Sequence, residues 1–98
     1  MKPQALLGFA RAAGRIVMGR TAVKKAVVAG RVHLLIVAED AAQGTVGEFE
    51  YLATEFTLPL VRFSTMDELG QMVGRSALAV VGVTDRQFAQ QLERALSS

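Results

Sequence analysis

Ninety-eight residues with a mass of 10.5 kDa are one domain's worth of chain on the usual scale of about 100 to 200 residues per domain, and residues 1–98 are read as a single domain. Hydrophobic residues at 51% and a mean hydropathy of +0.32 supply a core without staples, while the absence of cysteine excludes disulfides, thiolate metal sites and thiol catalysis. The formal charge is only +2 but is unevenly placed: the first 38 residues hold seven bases and no acid, the remainder four bases and nine acids, so a basic face that attracts phosphate-rich partners is expected.

Pro3 suits a first helical turn, Leu6, Leu7, Ala10 and Ala13 recur at helical spacing, and Gly14 is a stop, which predicts a helix over about 4–13. Arg15 to Met18 leaves room only for a brief strand. Gly19 then opens a second helix, about 20–29, with Ala22, Val23, Ala26 and Val27 on one face and Gly30 after its end. Val32 to Ala38 is apolar apart from His33 and reads as a central strand covered on both sides. Asp40 and Gln43 have the spacing of a capping pair ahead of a third helix, about 43–56, whose stripe is Val46, Phe49, Leu52, Ala53 and Phe56. Leu58 to Phe63, entered through Pro59, reads as an edge-type strand. Thr65 and Glu68 form a capping box for a short fourth helix. Leu78 to Val83 is a second central strand, and Thr84 with Gln87 predicts a capped final helix facing inward through Phe88, Leu92, Ala95 and Leu96. Strict alternation of helix and strand with short connections predicts a four-stranded sheet between helical layers.

No apolar run is longer than Leu34 to Ala38, far short of the ~18 residues that cross a bilayer. Ala5 to Ala10, followed by Arg11 and Arg15, is too short and too charged for a signal segment. A soluble, cytoplasmic protein with no membrane partner is expected.

The inventory for catalysis is poor. His33 is the sole histidine and lies in an apolar stretch, so a zinc site lacks partners. Neither a G-x-G-x-x-G nor a G-x-x-x-x-G-K-[ST] phosphate loop occurs. Glu39 and Asp40 follow a central strand, where α/β folds often carry functional residues; the alternative is that Asp40 only caps the next helix. The expectation is no enzyme, no metal and no cofactor.

The segment Met18-Gly19-Arg20-Thr21-Ala22-Val23-Lys24-Lys25 puts a glycine turn, one hydroxyl and three cations at a helix start. Cations there oppose the helix dipole, so stability alone would not choose them. A docked phosphate backbone reverses the sign, because helix-start amides, the Thr21 hydroxyl and the cations then act on one polyanion.

Together with Ala38-Glu39-Asp40-Ala41, Leu58-Pro59-Leu60-Val61 and Leu69-Gly70-Gln71-Met72-Val73-Gly74, that segment resembles the ribosomal protein L-seven-Ae/L-thirty-e superfamily over essentially the whole chain, Leu6 to Leu96, and within it the small bacterial YlxQ-type ribosomal-like proteins. The resemblance implies a three-layer α/β/α sandwich with a mixed sheet of order 1-4-2-3 and strand 4 antiparallel. It also implies RNA binding, characteristically to kink-turns, sharply bent duplexes with tandem sheared G·A pairs. In the family the helix opening reads G-x-N-E-x-x-K, with Asn and Glu on guanine edges and Lys on the RNA, and the loop before the last strand packs on unstacked nucleotides. Gly19 and Lys25 match that pattern; Thr21 stands at the Asn position and Ala22 at the Glu position; the loop match is Val73-Gly74-Arg75, with Met72 replacing a small residue.

Carried over in this way, the RNA-binding set is Gly19, Arg20, Thr21, Ala22, Lys24, Lys25, Val73, Gly74 and Arg75. Ala22 offers no side-chain acceptor and Thr21 only one hydroxyl, and a lost bidentate base contact is worth about 1–3 kcal/mol of discrimination. Expected is a monomeric binder of ribosomal or other structured RNA, with the ribosome as a candidate partner and kink-turn preference weakened by the missing Asn-Glu pair. A protein-interaction adaptor, motivated by that missing pair and by the acids Glu48, Glu50 and Glu55, is the competing reading. A third is a detached substrate-binding domain of an RNA methyltransferase.

Overall fold

A computed structural model describes residues 1–97, in the order α1 (Pro3–Ala12), β1 (Ile16–Met18), α2 (Arg20–Val28), β2 (Leu34–Val37), α3 (Gln43–Glu55), β3 (Leu60–Arg62), α4 (Met66–Met72), β4 (Val80–Val83) and α5 (Arg86–Ser97). The strands form one sheet of order β1-β4-β2-β3. β4 runs antiparallel to both neighbours, with Ile16 opposite Val83 and Val37 opposite Val80, and β3 is parallel to β2.

Alternation along the two central strands divides the core. Leu34 and Ile36 of β2, with Val81 and Val83 of β4, face α1, α4 and α5 through Leu6, Leu7, Leu69, Val73, Ala89 and Leu92. Leu35, Val37 and Val80 face α2 and α3 through Val23, Ala26, Val27, Phe49 and Leu52. Each fully buried Leu, Val or Phe contributes about 1.5–3 kcal/mol, so these two clusters fix both helical layers against the sheet. Gly82, central in β4, has a specific role: a Cβ there would meet methyls of Val17, Val32 and Val23 at 3.1, 3.2 and 3.3 Å. Its missing side chain lets α2 lie close to the sheet.

The strands are shorter than the apolar runs that foretell them. Val32 is buried but precedes β2, and His33 is half-buried ahead of the strand, its N–H donating to the Val83 carbonyl at 2.8 Å. Two caps also differ from the spacing rules. Asp40 does not cap α3, whose N-cap is Ala42 with no side-chain bond; its Oδ1 instead accepts from the Met66 N–H at 2.7 Å, at the start of α4. At α5 the acceptor is not Thr84: Asp85 Oδ1 takes the Phe88 N–H at 2.9 Å, because a carboxylate one residue later reaches the same turn. The Thr65–Glu68 box forms as spaced. Donation from the Thr65 N–H, and then from the Ser64 and Thr65 hydroxyls, holds the Glu68 carboxyl below the ordinary glutamate range. Among the described residues, no helix is long and apolar enough to cross a membrane.

Candidate nucleic-acid interface

One end of the sheet gathers three chain segments. β1 ends at Met18, and the next residue, Gly19, donates its N–H to the Val80 carbonyl at 3.2 Å. Beside them the Ala38 N–H donates to the Ala79 carbonyl at 2.9 Å, at the exit of β2. The start of α2 and the exit of β2 are therefore each joined to the entrance of β4 by a backbone hydrogen bond. Gly19 has φ +91, a value L side chains rarely adopt, and open space around its Cβ position; the turn demands glycine for its backbone angle, not for room. No side chain caps α2 and no acid lies in its first turn, so the partial positive charge of its start is not offset from within the helix.

From this entrance a groove of about 740 Å³ runs along the outer side of α2, lined by Arg20, Thr21, Lys24, Lys25, Val28, Ala29 and, from α3, Glu48. Helical spacing explains the composition: Val23, Ala26 and Val27 turn to the sheet, leaving 20, 21, 24, 25 and 28 on the opposite side. Glu48 holds two of the cations, with Oε1 3.5 Å from Arg20 Nη2 and Oε2 3.3 Å from Lys24 Nζ. Lys25 makes no ion pair among the described residues. Ala22 is exposed on α2 but outside the groove lining.

The loop positions carried over from the family separate. Val73 is 1% exposed and belongs to the core of the α1, α4 and α5 layer, so its side chain supports the turn from beneath and is not presented to a ligand. Gly74 and Arg75 are exposed. The atoms nearest a Cβ at Gly74 are those of the Arg11 guanidinium, from 3.6 Å, which brings a base of α1 to this turn. The Arg75 N–H is tied back to the Gly70 carbonyl at 2.7 Å. It is the far end of the loop, Ala79 and Val80, that the hydrogen bonds attach to Gly19 and Ala38; the exposed Ser76 and Ala77 lie between. Glu48, Arg11 and Val28 were invisible to motif spacing, Glu48 because it sits 24 and 28 residues from its partners.

The chain matches the family model described as the ribosomal protein L7Ae/L30e/S12e/Gadd45 family over residues 1–93. It is 32% identical over 87 residues to a Bacillus subtilis (strain 168) protein named RNA-binding protein YlxQ, covering 89% of this chain and 87% of that one. A solved structure of a protein with unknown function from Bacillus halodurans C superposes with a TM-score of 0.96 at 29% identity, over 99% of this chain and 98% of the other.

Proposed function

The chain belongs to the ribosomal protein L7Ae/L30e/S12e/Gadd45 family, and from that premise we propose that it is a non-catalytic RNA-binding protein that docks structured, kink-turn-like RNA on the α2 entrance. The observation that carries the reading is the conjunction at one sheet end of a glycine-led, uncapped helix start, a groove with three cations, and the entrance to β4. Phosphates supply what the first turn of α2 lacks, and Arg20, Lys24 and Lys25 supply the salt-sensitive part of the affinity. The name of the B. subtilis relative points the same way.

In this reading residues 1–98 act as one RNA-binding domain, a cytoplasmic monomer whose target is ribosomal or another structured RNA. Gly19 lets the backbone turn toward the RNA, and Thr21 contributes one hydroxyl contact. Ala22 contributes only surface, so guanine-edge readout is reduced and shape with phosphate spacing carries more of the selectivity. Gly74 and Arg75, joined by Arg11, extend the cationic surface at the second turn, with Val73 bracing it.

The reading is tested by gel shift against a standard kink-turn, an unbent duplex and a single strand over a salt series. The expected order is kink-turn first, with a narrow margin over the unbent duplex and affinities that fall steeply with salt. Folded protein that binds none of the three at low salt overturns it.

A further inference from the structure

The two cations that open the groove are already occupied. Glu48 reaches across from α3 with one carboxylate oxygen toward Arg20 and the other toward Lys24, residues one helical turn apart on α2. Two like charges at that spacing repel each other, and an anion between them relieves the repulsion. This is the arrangement in which two oxygens of one phosphate would be held. The contacts of 3.5 and 3.3 Å are longer than the roughly 2.7–2.9 Å of a tight charge-assisted bond. The cations are 60% and 55% exposed, so the pairing is solvent-screened and exchangeable.

We propose that Glu48 is a resident stand-in for phosphate, which holds Arg20 and Lys24 in the arrangement RNA needs and competes with RNA for them, making the groove selective for closely spaced phosphates over loose polyanion. The proposal rests on the RNA-binding reading above. A flexible single strand offering one phosphate at a time meets two cations already neutralised, with Lys25 alone unpaired. A bent RNA that brings several phosphates to the groove together replaces the carboxylate at both cations in one event. Glu48 thus lowers affinity for every polyanion but lowers it most for the unstructured ones.

The test compares Glu48→Gln, close in shape and neutral, with Glu50→Gln, an equal change in charge on the same helix at an exposed residue whose side chain has no ion pair among the described residues. The probes are a kink-turn RNA and poly(U) of equal length, titrated over a salt series. Restoring one unit of positive charge should steepen the log–log salt slope by about 0.7 and tighten poly(U) binding about four-fold near physiological salt. The kink-turn should gain less, so the preference for it falls, and Glu50→Gln should change neither affinity by more than about two-fold. Glu48→Ala serves as a second variant with the same expectation. Affinities that stay level or weaken in both Glu48 variants, or a Glu50→Gln effect equal to that of Glu48→Gln, overturn the proposal while leaving wild-type RNA binding intact. Failure of the wild-type protein to bind either probe removes the RNA reading and the proposal together.

Discussion

Neutralising the groove in one variant, Arg20→Gln with Lys24→Gln and Lys25→Gln, is expected to weaken RNA binding by about two orders of magnitude near physiological salt and to reduce the salt slope by about 2. Each phosphate neutralised by a side chain releases counterions, and losing three such contacts compounds. Lys25 should account for the largest single share, since Arg20 and Lys24 must first be won from Glu48. Stability moves differently. The lost ion pairs are exposed and worth at most about 1 kcal/mol each, and the dipole contributions nearly cancel: removing Arg20 from the first turn of α2 returns a few tenths of a kcal/mol, and removing Lys25 from its last turn costs about as much. Melting and binding measured on the same preparations should therefore separate, with affinity collapsing and the melting temperature nearly unchanged. Unchanged affinity would detach α2 from RNA.

Gly70→Ala should destabilise the fold and disturb the second turn at the same time. Gly70 is buried inside α4, and a Cβ there would come within 2.9 Å of the Ala77 nitrogen, 2.9 Å of the Arg75 carbonyl oxygen and 3.0 Å of the Ala77 Cα. All three are backbone atoms, so no side chain can swing aside. Alanine gains about 1 kcal/mol over glycine in a helix interior, but overpacking costs about 1–3 kcal/mol and more when backbone must move. With three backbone atoms in the way, the steric term wins by about 1–2 kcal/mol. For a chain of this size that lowers the melting temperature by roughly 5–10 °C. The segment that must yield is residues 75–77, which leads to the entrance of β4 beside Gly19, so RNA affinity should fall in step. A thermal denaturation curve that matches the wild type would show that the α4 contact is softer than its geometry.

What the sequence makes legible follows from the range of the interactions involved. Periodicity along Leu6, Leu7 and Ala10 or Phe49, Leu52 and Ala53 places the helices, because burial acts on one face of each. The Thr65–Glu68 box is legible because both partners lie within one turn. Asp40 misleads for the same reason in reverse: its spacing to Gln43 is right for a local cap, but the Met66 N–H, 26 residues on, is the donor the fold brings to it. Strand order is not encoded in spacing at all; it came from likeness to a family. At the candidate site, α2 is readable because its glycine and cations are contiguous. The second turn is only half readable, since a motif names Val73, Gly74 and Arg75 alike while the packing of α4 turns Val73 inward and leaves its neighbours outside. Glu48 looks like one more surface acid until α3 is laid beside α2.

RNA is proposed to meet this protein at the joined entrances of α2 and β4. The most direct test is a two-dimensional NMR titration of isotope-labelled protein with a kink-turn RNA, following the backbone amides. The largest shifts are expected on residues 19–25 and 74–80, with little change along the outer faces of α5 and β3. Shifts concentrated on α5 or β3, with 19–25 unmoved at saturation, would contradict it.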